Sequence, residues 1–260
     1  MPAARRGGRG DRRPFSLAAV GGIALALVLP AALCGISAAL CALALVDPPR
    51  AGRGGGDDKE AHSPARRRPY RETSLLWRIH GVSMLLVVPQ FTVSTFGLVW
   101  LVAELGLSSL AAGMVIAVSQ FVGAIGRIGV GALSDRVGSH LRPLRWVSVA
   151  AVAAMLLMAV ASALGSVAAA VILIVAAVVT VADNGLAYTS AAEIAGPFWS
   201  GRILGAQNTG QFAAASLVGP VVGALIGGPG YPLTFAIVAL CPAVAAPLVP
   251  RDRELMAVPE

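Results

Sequence analysis

Of the 260 residues, 57% are hydrophobic and only 13% charged, with a mean hydropathy of +0.78; soluble domains carry about 25% charged residues, so a soluble globular fold is excluded. The formal net charge is +7, but Lys and Arg cluster between the apolar stretches, as a membrane's positive-inside bias places them, and nucleic-acid binding is not indicated. Alternating barrel-type patterning is absent, which leaves an all-α polytopic membrane protein as the expected fold.

In chain order, residues 1–19 form a basic tail and 20–46 a leading transmembrane helix. Residues 47–74, with Gly, Pro and both signs of charge but hardly any apolar side chain, are predicted to be a disordered linker. A six-helix bundle follows over 75–250, with spans expected at 75–103, 109–133, 146–164, 167–191, 203–226 and 232–249, and residues 251–260 form a tail. Each span offers roughly the 20 apolar residues needed to cross ~30 Å of hydrocarbon. Two charge-free runs, from Trp146 and from Ile203, are long enough for helical hairpins and are broken at Gly165-Ser166 and at Gly227 to Pro232. The three cysteines, Cys34, Cys41 and Cys241, fall within spans; two turns of helix separate Cys34 from Cys41, about 10 Å along the axis and too far to bridge.

Counting Lys and Arg in successive connections after the leading helix gives seven, none, three, none, one, none and two. The alternation places 47–74, 134–145, 192–202 and the C-terminus on the cytoplasmic side of a cell membrane. Arg5, Arg6, Arg9, Arg12 and Arg13 break the pattern, because one crossing of the leading helix would leave them outside.

The segment GALSDRVGSHLR, residues 131–142, resembles the G-x-x-x-D-R-x-G-x-x-x-R signature of major facilitator superfamily transporters, matching at Gly131, Asp135, Arg136, Gly138 and Arg142. Gly131 suits close helix approach and Gly138 a tight turn. Arg136, Arg142 and Arg145 are expected where a helix C-terminus favours cations. Ser139-His140 departs from the further basic residues common in the family. Glu193 followed by Arg202 resembles that family's Glu/Arg pair, and with Asp135, Arg136 and Arg127 these groups could form a cytoplasmic ion-pair cluster acting as a gate. The resemblance covers residues 24–250 and implies that the leading helix is the sixth of twelve, that the bundle is the C-terminal half, and that the start is truncated or misassigned. It further implies a secondary active transporter moving a small solute by alternating access, completed by a companion N-terminal half or a homodimer. The alternative is a non-transporting remnant or a regulatory partner of a full transporter.

Polar residues within spans are costly and mark pathways. Gln90, Gln120, Asn184 and Gln211 are the candidates for a solute cavity, each with an interhelical hydrogen bond as the structural alternative. Asp183, some 24 Å into an outside-to-inside helix, reads as a proton-binding carboxyl for coupling or as a structural partner of Arg127. Ala215, Gly219, Gly223 and Gly227 form a small-residue stripe. No hydrolase, metalloprotease, phosphate-loop or dinucleotide motif is present, so neither an enzyme nor a cofactor or metal site is expected.

Overall fold

The computed structural model describes residues 17–44, 69–165 and 168–256, helical apart from short connections. Two compact units divide near Lys59. The first contains α1 (Leu17–Ala44), apolar on every side, as a membrane span requires. The basic tail at 1–16, most of the linker reading at 45–68 and the last residues 257–260 lie outside the described residues.

The second unit carries α2 (Pro69–Glu72), α3 (Leu75–Ala103), α4 (Ser109–Val137), α5 (Leu141–Leu164), α6 (Ala169–Val181), α7 (Asp183–Ala195), α8 (Ser200–Gly227), α9 (Gly230–Val238), α10 (Leu240–Leu248) and α11 (Asp252–Met256). Among the described residues, seven helical stretches are long and apolar enough to cross a membrane, α1 included and α6–α7 and α9–α10 each counting as one. The order and number are those expected. Where the linker was expected to run to residue 74, α2 already forms one turn.

The breaks within spans have local causes. At the α6–α7 joint the Ala182 N–H bonds the Val179 carbonyl at 3.3 Å, a tightened turn. There the Val181 carbonyl also accepts from Arg127 Nε at 3.2 Å, a side chain entering the helical ladder. Between α9 and α10, Pro242 has no N–H to offer the Val238 carbonyl.

α3 is the central staff, packed against α6, α7, α8 and α10, while α5 rests on α6, α9 and α10 and α4 lies mainly along α6. Two apolar layers surround it. One gathers Trp100, Met155, Met158, Leu173 and Phe235, with the Trp100 ring edge-on to Phe235 and its Nε1–H donating to Ser162 Oγ at 3.0 Å. The other, at the end that carries the α4–α5 turn, gathers Leu76, Ile79, Leu86, Leu141, Leu144, Ile203 and Val249. The close α4–α6 approach depends on glycine: a Cβ at Gly126 would fall 2.6 Å from Val178 Cγ1, and one at Gly123 3.4 Å from Val181 Cγ2. The approach expected at Gly131 is found at these two positions instead; a Cβ at Gly131 would meet nothing within 4 Å. Of the stripe on α8, only Gly223 faces a neighbour in this way, the Phe96 ring at 3.6 Å, while Gly219 and Gly227 stand open.

Candidate functional site

Three helices converge on a cavity of about 300 Å³ lined by Val87, Gln90 and Phe91 of α3, Asn184 and Tyr188 of α7, and Asn208, Gln211 and Phe212 of α8. Helical spacing puts them there: Asn184 and Tyr188, like Asn208 and Phe212, are four apart and share a face. The polar groups are already engaged with one another. Asn184 Nδ2 donates to Gln90 Oε1 at 3.1 Å, and the Tyr188 hydroxyl lies 2.8 Å from Asn208 Oδ1 and 2.9 Å from Gln211 Oε1. Phe91 and Phe212 stand edge-to-face with ring centroids 6.3 Å apart.

Of the four amides singled out in the sequence, the structure thus brings Gln90, Asn184 and Gln211 together. Gln120, exposed on α4, shares only a narrow neighbouring crevice with Gln90. Tyr188, Asn208 and the two phenylalanines escaped selection, although their spacing from Asn184 and Gln211 is the signal that finds them. Gln207 is spent elsewhere: it is 1% exposed, and its Nε2 donates to Ser83 Oγ across the α3–α8 contact at 3.1 Å.

Asp183 does not line this cavity. It is 1% exposed, and neither carboxylate oxygen has a hydrogen-bond partner among the described residues. The direct pairing with Arg127 is not made; that guanidinium is bound to the Val181 carbonyl.

At the basic end, Gly138 closes α4 in the left-handed conformation, φ +63°, and the Ser139 N–H returns to the Ser134 carbonyl at 3.4 Å. The tight turn expected of the signature is therefore present. Arg136 lies in the last turn of α4, where the helix dipole favours it. Arg142 and Arg145 do not: they are the second and fifth residues of α5, near the end that repels cations. Their charges are met from outside the helix. Arg142 Nε donates to Asp252 Oδ2 at 2.7 Å, and Arg145 Nη2 to the Val249 carbonyl at 2.7 Å, closing the last turn of α10. Asp252 also accepts from Ser139 Oγ at 2.7 Å, and Arg78 pairs with Glu254.

The structure does not join Glu193 to Arg202. Glu193 pairs with His140 at 3.1 Å, and Arg202 lies over the Trp199 ring at 5.1 Å. Asp135 and Arg136 are exposed and make no ion pair among the described residues, although Asp135, His140, Arg142, Glu193 and Asp252 border one open cleft. The residues read as a gate, Arg127 apart, are thus gathered at one end without forming a single cluster.

Spans, signature turn and polar cavity now stand together, and comparison with known proteins decides their kinship. The Major Facilitator Superfamily profile matches residues 15–220. The chain belongs to the major facilitator superfamily. An uncharacterised MFS-type transporter of Mycobacterium tuberculosis strain H37Rv, Rv2994, is 43% identical over 229 residues, covering 88% of this chain and 50% of that protein. Another, MT3072 of strain CDC 1551, is 42% identical over the same length and shares. This facilitator chain spans about half the length of the curated relatives it matches. It is a multi-pass membrane protein of a transporter family, not of an enzyme family.

Proposed function

We propose that this chain forms one half of the solute pathway of a secondary transporter, with Gln90, Asn184 and Gln211, joined by Tyr188 and Asn208, as one wall of the cavity. The observation that carries this reading is the meeting of five amide and hydroxyl side chains from three helices within a membrane-spanning bundle. Five such groups meeting at one place within membrane-spanning helices cost too much to be kept for packing alone. Gln120 and Arg127, exposed on α4, lie on a helix only lightly covered by the rest of the bundle, as α8 is. Those two faces suit a companion half or a second copy, which would close the cavity and rock against it. The basic end, with Gly131, Asp135, Arg136, Gly138, Arg142, Glu193 and Arg202, would lie at the cytoplasmic face and gate access there. Asp183, buried next to Asn184 and without a hydrogen-bond partner among the described residues, is the residue for a coupling proton.

The test replaces Cys34, Cys41 and Cys241 with Ser and then places one cysteine at a time at residue 90, 184, 211 or 156. Leu156 is exposed on α5, a helix that contributes nothing to the cavity lining. A water-soluble, charged methanethiosulfonate should modify the first three and spare position 156. Protection of all four would remove the pathway reading.

A further inference from the structure

The cavity wall carries more information than its position. None of its eight lining residues is charged. The nearest acid in sequence, Asp183, is turned away from it and buried, and the guanidinium of Arg127 is held on a backbone carbonyl. An ion seated against this wall would lose water and gain no counter-charge from the lining residues.

The hydrogen-bonding inventory narrows the occupant further. A hydroxyl has one proton, so Tyr188 can donate to only one of the two amide oxygens near it. Asn208 is exposed and free to turn its NH2 toward the phenolic oxygen, which leaves the proton for Gln211 Oε1. Gln90 accepts from Asn184. What remains unspent includes donors on Gln90 and on Gln211, whose Nε2 is buried with no hydrogen-bond partner among the described residues, and acceptors on Asn184 and Asn208, with the Phe91 and Phe212 rings lining the same cavity. Neighbouring donors and acceptors beside aromatic edges fit a flat ring that itself bears both kinds of group. A cavity of about 300 Å³ has room for one or two such rings.

We infer that the part of the solute seated against α3, α7 and α8 is an uncharged, ring-bearing group with hydroxyl, carbonyl or amide substituents. This rests on the reading of the cavity as a solute site, and the two are separable by experiment. The 260-residue chain, in lipid nanodiscs, is titrated with three fluorescent probes on one framework: neutral 7-amino-4-methylcoumarin, the same ring bearing a carboxylate, and the same ring bearing a trimethylammonium group. Binding counts only where it saturates and is weakened by Gln90→Leu with Asn184→Leu. Tyr188→Phe, which deletes a single oxygen, serves where the double variant fails to fold. The expected result is saturable binding of the neutral probe, weakened at least tenfold by the substitutions, with both charged probes at least tenfold weaker than the neutral one. A charged probe that binds as tightly and is lost with the same substitutions would overturn the assignment of an uncharged group while leaving the cavity in place. If no probe shows binding that the substitutions remove, the solute site itself is overturned.

Discussion

At the scale of single residues, the chemistry of this chain separates into groups that hold the fold and groups held in reserve. Gly138 belongs to the first kind: at φ +63° any side chain is strained, and Gly138→Ala should lower stability by about 1 kcal/mol, read as a lower midpoint in detergent thermal unfolding. Asp183 belongs to the second. Because neither of its oxygens has a partner, Asp183→Asn should leave the thermal midpoint unchanged or raised; a fall of several degrees would show that Asp183 is a structural partner of Arg127 after all. Glu254 lies beyond the last span. Burial pushes its carboxyl up, but the hydrogen bonds from Arg78 and the Arg251 N–H and the charges of both arginines together outweigh this, and it titrates below its ordinary 4.5. A depressed carboxylate contributes its stability above the unfolded value and loses it as pH falls through the folded one. Protection factors for hydrogen exchange over 250–256, with the slowing of intrinsic exchange at low pH taken out, should therefore fall as pH drops from 7 through the titration of this carboxyl, and Glu254→Gln should show the lower protection already at pH 7. The signature residues and most of the amide wall were legible in the sequence because single polar side chains in an apolar run stand out. The partners of Arg142 and Glu193 were not, since Asp252 and His140 are brought near only by the folding of distant segments or by a turn whose geometry composition does not encode.

At the scale of elements, helix number and order follow from charge-free length, whereas helix ends do not. The sequence places a boundary where charge begins, yet α4 runs on through Arg136 and α5 begins before Arg142, because capping geometry and not polarity ends a helix. The small-residue logic was legible in kind and misplaced in position: close approach occurs at Gly126 and Gly123 against α6, where β-branched Val178 and Val181 fill the gap. Gly126→Val should therefore force α4 and α6 apart, at about 1–3 kcal/mol. Gly131→Val should cost much less, because a Cβ there meets nothing. Comparing the melting midpoints of the two variants checks this. Equal midpoints would mean that the α4–α6 contact does not limit stability.

At the scale of the whole molecule, two apolar layers stacked along α3 give the bundle its rigidity, and the amide wall opens beside them where α3, α7 and α8 meet. Amides on three spans point in the sequence toward such a wall, with interhelical hydrogen bonds as the alternative. It does not show that Gln207 is diverted to Ser83 or that Gln120 stands apart, since both depend on the rotation of a helix about its own axis, which a charge-free run leaves open. All of this requires that the apolar stretches cross the bilayer and that the basic turns share one side. The direct measurement is thiol labelling of intact cells in the cysteine-free background, with one cysteine at Arg136, exposed at the end of α4, or at Glu104, exposed at the end of α3. An impermeant maleimide should label position 104 at once and position 136 only after the membrane is permeabilised; labelling of position 136 from outside intact cells would contradict the account.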